Sequence, residues 1–284
     1  MNCGPPQARS TASAHLPLDT RELPMRTAIL VTTYNRPDAL KWVLFSIERQ
    51  IHRPDEVIIA DDGSSHATTA CCESFKERLP IRHVWLPDHG FRAARTRNVA
   101  LLSAASEHVI MIDGDCLLPP QFVSHHQRMI ENGYLVSGGR WLMGPDQTSQ
   151  LLSHELDPEC LQFPEWKFRS WPLGPLRDVQ SRNWSMVRTC NLGVMVEDVY
   201  RVGGFDERFT AWGLEDSDFV LRMIHAGIKV RNGRFAASVK HLHHVEGATE
   251  ICQRNAALFT ETQAFHSGIK PVPSVFSSQH SCVD

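Results

Sequence analysis

Short apolar runs alternate with amphipathic segments along the first half of the chain. Residues 28–31, 57–60 and 109–112 are apolar runs of strand length, each followed by polar residues. Between them, apolar side chains recur at helical spacing in residues 40–47, and the composition of residues 93–105 favours a helix. This alternation predicts an α/β fold with a largely parallel sheet and helices on both faces.

The pattern changes after about residue 140. Residues 141–184 hold four of the seven tryptophans and have little periodicity, which favours loops and short elements. A strand is predicted at 192–196, and two short strands at 228–230 and 235–239. A helical face that includes Phe219 is expected to end at Gly227.

We expect one structured domain. Residues 1–24 are rich in Pro, Ser, Thr and Ala without an apolar segment, so they are predicted to be a disordered extension rather than a signal peptide. The domain is predicted to span residues 25–266, with halves at 25–140 and 141–266. Residues 267–284 are rich in Ser, Pro and His and are predicted to be a loose tail.

Composition excludes several classes of protein. A net charge of −3 provides no global field for binding nucleic acid. No apolar run approaches the roughly 20 residues of a transmembrane helix. The eight cysteines form no C-x-x-C pair and suggest no disulfide framework, so we expect reduced thiols and a cytoplasmic protein.

Two acidic clusters stand out. Asp113-Gly114-Asp115 follows the buried strand at 109–112, and open α/β sheets bind ligands at the carboxyl ends of their strands. Two oxygen donors one residue apart suit a divalent cation that also holds a diphosphate. Glu215-Asp216 precedes a helical pattern and can supply a general base. Together they predict group transfer from a nucleotide-activated donor.

Five motifs occur in an order that is informative as a set. They are residues 31–37 (VTTYNRP), residues 59–65 (IADDGSS), Gly90 with residues 94–98 (ARTRN), the Asp113-Gly114-Asp115 motif, and residues 203–207 (GGFDE) through 212–216 (WGLED). In this order they resemble the inverting glycosyltransferases of family 2, over about residues 26–260. The fifth looks like a segment shared with β-1,4-galactosyltransferases and bacterial chondroitin-polymerase-type enzymes. The resemblance implies a GT-A fold, a Rossmann-like, mostly parallel sheet flanked by helices, with a C-terminal acceptor-binding half.

The resemblance implies a metal site around the aspartates. Asp115 would be the direct ligand of Mn²⁺ or Mg²⁺, and Asp113 would contact the ribose or a metal-bound water. In related enzymes a histidine after a late strand completes the coordination, with His241 the first candidate here and His244 the second. If the strand continued, alternation would place His241 and His243 on one face. A zinc site is the alternative, but no Cys or His partner stands at the usual spacing.

The resemblance also implies a donor-nucleotide pocket. Asp62 would accept a hydrogen bond from the base, uracil N3–H for a UDP-sugar, although the same residues also fit a plain Asx-turn. Tyr34 would stack on the nucleotide, and Arg97 would belong to the pocket rather than to an exposed surface. The donor-binding candidates are Thr32, Tyr34, Asn35, Arg36, Asp62, Arg97, Asp113 and Gly114.

The second acidic cluster is implied to carry the acceptor chemistry. Asp216 would be the general base, and Glu215 would hold the acceptor through a neighbouring hydroxyl. Trp212 would stack on a sugar face. The bland alternative, that both carboxylates simply stabilise a helix N-terminus, is compatible with these roles. Asp218 is expected to be solvated or capping.

These expectations add up to a metal-dependent inverting glycosyltransferase. Its partners would be a UDP-sugar and a glycan or glycolipid acceptor of a bacterial surface polysaccharide or lipopolysaccharide. No nucleic acid is expected, and a peripheral contact at the inner face of the membrane stays open. The tryptophans of residues 141–184 are core, an acceptor platform or a membrane-surface contact. His125 and His126 are expected at the surface.

Two rival functions remain at this point. A sugar-nucleotide nucleotidyltransferase also uses a metal on an α/β sheet, but it needs a glycine-rich phosphate loop with a basic residue near the first strand, and residues 32–37 do not form one. A non-catalytic glycan- or metal-binding module would use the histidines and tryptophans.

Overall fold

The computed structural model describes residues 25–153, 184–234, 236–244, 252–265 and 268–277. The strands in these residues are β1 (Thr27–Thr33), β2 (Glu56–Asp61), β3 (Ile81–Trp85), β4 (His108–Asp113), β5 (Cys116–Leu117), β6 (Tyr134–Ser137), β7 (Gly139–Leu142), β8 (Asn191–Met195), β9 (Lys229–Asn232) and β10 (Ser238–His241). The α-helices are α1 (Pro37–Glu48), α2 (His66–Glu73), α3 (Ala93–Leu102), α4 (Phe122–Met129), α5 (Pro145–Ser153), α6 (Val196–Arg201), α7 (Glu215–His225) and α8 (Gln253–Ala264). The predicted alternation of strands and helices up to β4 is therefore present.

The main sheet has seven strands in the order β3-β2-β1-β4-β8-β6-β9. The first four are parallel to one another, and β8 runs antiparallel to both of its neighbours. The fold class is therefore α/β with a mainly parallel sheet, as predicted. Strands from both predicted halves share this sheet, because β8 and β9 come from the second half.

The central strands β1, β2 and β4 are largely apolar because both faces of the sheet are covered there. In β1, Ile29 and Val31 pack against α1, whereas Ala28 and Leu30 face the core beneath α3 and α7. All four side chains are fully buried. Burial of Ile29, Leu30 or Val31 contributes roughly 1.5–3 kcal/mol each, so this sheet is a rigid base for residues at its edge.

A second sheet, β5-β10-β7, carries His241 at the end of β10. Asn191 at the start of β8 joins it to the main sheet, since its Nδ2 donates to the carbonyls of Gly139 and Ala237, both at 2.8 Å. The small sheet is thereby held against the large one.

His126 supports this junction, and the prediction of a surface position for it is wrong. The side chain is fully buried, with Nε2 3.0 Å from Asn191 Oδ1. Space for the ring exists because residue 193 is glycine: a Cβ there would lie 2.7 Å from His126 Nδ1. Burial lowers the pKa of His126 to about 4, so the ring is neutral at pH 7.

The C-terminal segment also corrects an expectation. Residues 268–277 are not loose, because Val272 and Phe276 are buried. The Phe276 ring occupies the space beside Gly204, where a Cβ would approach it to 2.5 Å. Two apolar side chains in a Pro/Ser-rich stretch were enough to anchor it. The predicted extension 1–24 and residues 278–284 lie outside the described residues.

None of the described helices has the length and apolar character that a membrane span requires.

Candidate active site

The carboxyl ends of β1 and β4 meet at one edge of the main sheet, with Thr32 in register with Asp113. The chain turns there through Gly114, whose N–H donates to the Thr32 carbonyl at 2.8 Å. A Cβ on Gly114 would lie 3.0 Å from the Thr33 hydroxyl oxygen, so a residue without one suits this close approach. The turn places Asp115 just beyond the edge.

Asp115 lies between two imidazoles. Its Oδ1 is 3.4 Å from His241 Nε2, and its Oδ2 is 3.6 Å from His244 Nε2. The two rings have centroids 5.3 Å apart. We call Asp115, His241 and His244 the aspartate–histidine cluster. Burial lowers the pKa of His241, which favours the neutral, metal-ligating form.

The convergence of both histidines follows from where β10 ends. The strand stops at His241, so the chain leaves the alternating pattern and His244 returns to the same carboxylate. The predicted pairing of His241 with His243 on one face depended on a longer strand. The backbone N–H of His243 instead donates to the Thr148 hydroxyl at 2.9 Å.

Arg97 of α3 joins the two predicted acidic clusters. Its Nη1 donates to Glu215 Oε1 at 3.1 Å, and its Nη2 lies 3.7 Å from Asp113 Oδ1. Its Nε donates to the Thr32 hydroxyl at 3.2 Å. Burial alone would lower the pKa of Arg97, but the attraction of Glu215 and Asp113 outweighs it and raises that pKa. A buried, permanently charged guanidinium therefore holds both carboxylates.

The acidic groups act on each other electrostatically. Removal from water raises the pKa of Asp113 to about 7; Arg97 opposes this, and the charges of Asp115, Glu215 and Asp216 add to it. The carboxylates of β4 and α7 therefore share one electrostatic environment, in which Arg97 contacts both.

Glu215 and Asp216 form the first turn of α7; we call them the Glu215–Asp216 pair. Glu215 is buried, which raises its pKa against the lowering effect of Arg97. Asp216 is half-buried, and its Oδ1 accepts the N–H of Ser217 at 2.7 Å. Leu214 directly before the pair has φ 74°, an uncommon conformation for a bulky residue, which sets the direction in which the helix begins.

Asp218 is not solvated as predicted. It is fully buried, with Oδ2 accepting from Arg222 Nε at 2.8 Å and Oδ1 accepting from the Thr262 hydroxyl. These bonds tie α7 to α8. Burial selects this arrangement because an unpaired carboxylate in the core would be costly.

Trp212 is 54% exposed beside the Glu215–Asp216 pair. The loop that presents it is held by Asn255 of α8, whose Nδ2 donates to the carbonyls of Ala211 and Gly213, both at 2.8 Å. The exposed ring is therefore presented on a fixed loop. Trp166 and Trp171 lie outside the described residues.

Asp62 follows β2 and is fixed by α3. Its Oδ2 accepts the Arg92 N–H and its Oδ1 accepts the Thr96 hydroxyl, both at 2.7 Å. The neighbouring Asp61 is fully buried, with its Oδ2 2.8 Å from His83 Nε2, so its role is structural. The Asp62 carboxylate is thus oriented before any ligand arrives.

The turn after β1 lies next to Asp62. Tyr34 is 50% exposed, and its hydroxyl donates to Asp88 Oδ2 at 2.9 Å. Asn35 has φ 48°, and its Oδ1 accepts a hydrogen bond from the Ser65 N–H at 2.9 Å. This bond joins the turn after β1 to the turn after β2. Arg36 pairs with Asp38 at 3.2 Å and is not drawn into the network around Arg97.

Sequence reasoning missed several supporting residues. They are Cys116, Asp88, Arg92, Thr96 and Asn255. Of these, two carried a local signal: Cys116 directly follows the Asp113-Gly114-Asp115 motif, and Thr96 lies within the motif at residues 94–98. The others act through long-range contacts that no local pattern reveals.

Two family sequence models match the chain. The family described as glycosyl transferase family 2 matches residues 28–192, more than half of the chain. The family described as the N-terminal domain of galactosyltransferase matches residues 178–245. The first match contains Asp113 and Asp115, and the second contains the Glu215–Asp216 pair and both cluster histidines.

Curated relatives are similarly distant. Validoxylamine A glucosyltransferase of Streptomyces hygroscopicus subsp. limoneus is 27% identical over 256 residues, covering 82% of this chain and 53% of the relative. Chondroitin synthase of Escherichia coli is 27% identical, covering 72% of this chain and 33% of the relative. The chain therefore spans about half the length, or less, of these relatives.

Solved structures share the fold. TarS of S. aureus in complex with UDP-GlcNAc aligns with a TM-score of 0.65 at 15% identity, covering 87% of this chain and 68% of that one. A mannosyltransferase of Pyrobaculum calidifontis with GDP-Man and Mn²⁺ aligns with a TM-score of 0.57 at 19% identity, covering 88% and 67%. With the mainly parallel sheet, they establish the predicted GT-A fold.

Proposed function

The chain belongs to glycosyl transferase family 2, and we propose that it transfers a sugar from a UDP-sugar to a hydroxyl of a glycan or glycolipid, with inversion at the anomeric carbon. One observation carries this proposal: Arg97 donates a hydrogen bond to Glu215 and lies 3.7 Å from Asp113, which supports a single site that contains both acidic clusters. A donor site and an acceptor site at opposite ends of one bond are what a single displacement needs.

The donor end is the strand edge with the aspartate–histidine cluster. The Asp115 carboxylate lies 3.4 Å from His241 Nε2 and 3.6 Å from His244 Nε2, a group of ligands that suits a divalent cation. This mixture of oxygen and nitrogen donors favours Mn²⁺ over Mg²⁺, because Mg²⁺ prefers oxygen. A bound cation would neutralise charge on the departing diphosphate. The oriented Asp62 carboxylate and the exposed Tyr34 ring would bind the base. The UDP-GlcNAc complex of a structure with the same fold supports this choice of donor class.

The acceptor end is the Glu215–Asp216 pair with Trp212. Asp216 would take the proton of the acceptor hydroxyl as that oxygen attacks the anomeric carbon. The new C–O bond forms on the face opposite the bond to the diphosphate, which breaks, so the configuration inverts. Glu215, held by Arg97, would position the acceptor, and the exposed Trp212 ring would offer a stacking face for a sugar.

The names of the relatives support a choice of acceptor class. The relatives named chondroitin synthase, of Escherichia coli, and O-antigen biosynthesis protein RfbC, of Myxococcus xanthus, are named for the synthesis of glycans. We propose an acceptor of that kind. The free cysteines among the described residues agree with a reaction in the cytoplasm.

A direct test is the release of UDP from a panel of UDP-sugars and GDP-mannose by the purified chain, with Mn²⁺, with Mg²⁺ or with EDTA. We expect slow hydrolysis of one UDP-sugar in Mn²⁺ and a rise in the apparent melting temperature with that ligand. Glu197→Gln, an exposed change at the opposite edge of the sheet, is the control and should behave as wild type. Release of GDP alone, or metal-independent release, would refute the donor or the metal assignment.

A further inference from the structure

Cys116 is a thiol beside the aspartate–histidine cluster that the proposed mechanism does not use. It is fully buried on β5, which pairs antiparallel with β10 so that Cys116 lies directly opposite His241. Residues directly opposite each other in such a pair project from the same face. The Cys116 side chain is therefore directed to the same side of the small sheet as the imidazole.

The distances place the thiol within a shared ligand sphere. Cys116 Sγ lies 3.9 Å from Asp115 Oδ1. One ligand atom each from Asp115, Cys116 and His241 lie within 4.8 Å of one another. His244 adds a fourth group, with Nε2 3.6 Å from the same carboxylate. A carboxylate oxygen, a sulfur and one imidazole nitrogen thus lie close enough together to share one ion, and the His244 imidazole approaches the other oxygen of the same carboxylate.

This donor set differs from an oxygen site. Mg²⁺ and Mn²⁺ prefer carboxylate, carbonyl and water oxygens, whereas Zn²⁺ is bound by four Cys, His and Asp ligands in a tetrahedron. Two imidazoles alone shift the preference toward the later first-row ions. A thiolate shifts it further, because sulfur is the softest donor in the set.

We propose that Cys116 is an additional ligand of this site, and that the site therefore binds Zn²⁺ and Co²⁺ through Asp115, Cys116 and His241, with His244 as the candidate for the fourth position of a tetrahedron, more tightly than Mn²⁺. This inference rests on the proposed metal site and deepens it. On binding, the S–H bond breaks, a metal–sulfur bond forms and the proton passes to solvent, with no change of oxidation state. Tight Zn²⁺ binding would exclude Mn²⁺, so Zn²⁺ would regulate the site.

Cobalt tests the proposal without any activity assay. Apo-protein, stripped with EDTA, is titrated with Co²⁺ and its absorbance is recorded. We expect visible bands of tetrahedral Co²⁺ and a near-ultraviolet thiolate-to-cobalt charge-transfer band that saturates at one ion per chain. Cys116→Ser and Cys116→Ala should lose the charge-transfer band, and their affinity for Zn²⁺ should fall by about tenfold or more.

Cys190 is the matched control. It is another buried thiol that contacts Cys116, but it lies outside the group of ligand atoms. Cys190→Ser should keep the charge-transfer band. Thermal unfolding of each apo variant establishes that it is folded before titration. If one of the two Cys116 variants is unfolded, the other is used for the titration.

The outcomes are distinct from those of the proposed function. A charge-transfer band that persists in both Cys116 variants, or is absent from wild type, would overturn the ligand assignment even if UDP release in Mn²⁺ is normal. If the band behaves as expected but no nucleotide sugar is turned over, the metal site stands and the proposed transfer fails.

Discussion

The two acidic clusters of the proposed active site are held in place by different kinds of structure. The first end of the site is a strand end of the main sheet, and the second is the start of a helix. Asp113 and Asp115 stand where β4 leaves a sheet that is covered on both faces, and hydrogen-bonded register sets their position. The Glu215–Asp216 pair begins a helix after a left-handed residue, and the side chain of Arg97 connects it to the sheet edge. Metal binding at the first end should therefore tolerate changes that abolish acceptor chemistry at the second.

The largest effect is expected for Asp216→Asn. An amide cannot take the acceptor proton, so transfer should fall by about 10²- to 10⁴-fold. Affinity for UDP in Mn²⁺, measured by isothermal titration calorimetry, should match wild type because the cluster at the other end is untouched. An equal loss of transfer and of UDP affinity would contradict the assignment of Asp216 as base.

Arg97→Met should damage the connection between the ends. It leaves the buried Glu215 carboxylate without its partner, and breaking a buried ion pair costs about 3–5 kcal/mol. We expect that loss in chemical denaturation. Adding Glu215→Gln should recover much of the stability but not transfer, since the acceptor contact is lost. Full recovery of transfer in the double variant would show that the ion pair has no positioning role.

His241→Ala should act on the first end only. Mutation of a residue that only orients a metal ligand lowers metal affinity by about 10–100-fold. Because His241 is proposed as a direct ligand, its loss should lower the affinity for Mn²⁺ by at least this much. His243→Ala is the control, because that residue lies in the same tripeptide but outside the cluster. Equal effects of the two substitutions would argue against a metal role for His241.

Acid should destabilise the support beneath the first end. Burial lowers the pKa of His126 to about 4 and that of His108 to about 3, from 6.5 in the unfolded chain. Because the folded pKa values are depressed, their contribution is complete above pH 6.5 and is lost as pH falls toward 4. At pH 5 each of the two histidines lowers the free energy of unfolding by roughly 2 kcal/mol. Denaturant unfolding at pH 7 and at pH 5 measures this loss of stability. The His126→Gln variant should show a smaller difference in the free energy of unfolding between the two pH values than wild type. An equal difference in the two proteins would contradict the role of His126.

Much of this architecture follows from local pattern. The apolar runs at β1, β2 and β4 predict a mostly parallel sheet, and the position of Asp113-Gly114-Asp115 after one of them predicts a ligand site at its edge. The residue pairings do not follow. Arg97 meets Glu215 across 118 positions, and only tertiary structure reveals that contact.

The errors have one cause. His126 and Asp218 were expected at the surface because polar side chains favour solvent, yet each is buried with a specific partner. Similarly, the Pro/Ser-rich composition of residues 268–277 hides the anchoring role of Phe276. Average polarity predicts solvation, but a single well-placed partner reverses it.

The most direct test of the central claim is a crystal structure of the chain with UDP and Mn²⁺. We expect the ion to be bound by Asp115 and His241, with the β-phosphate in contact with the ion. The Asp216 carboxylate should face that phosphate across a space that fits one hexose. A UDP molecule bound away from Asp115, or an Asp216 carboxylate that opens into a separate cleft, would contradict it.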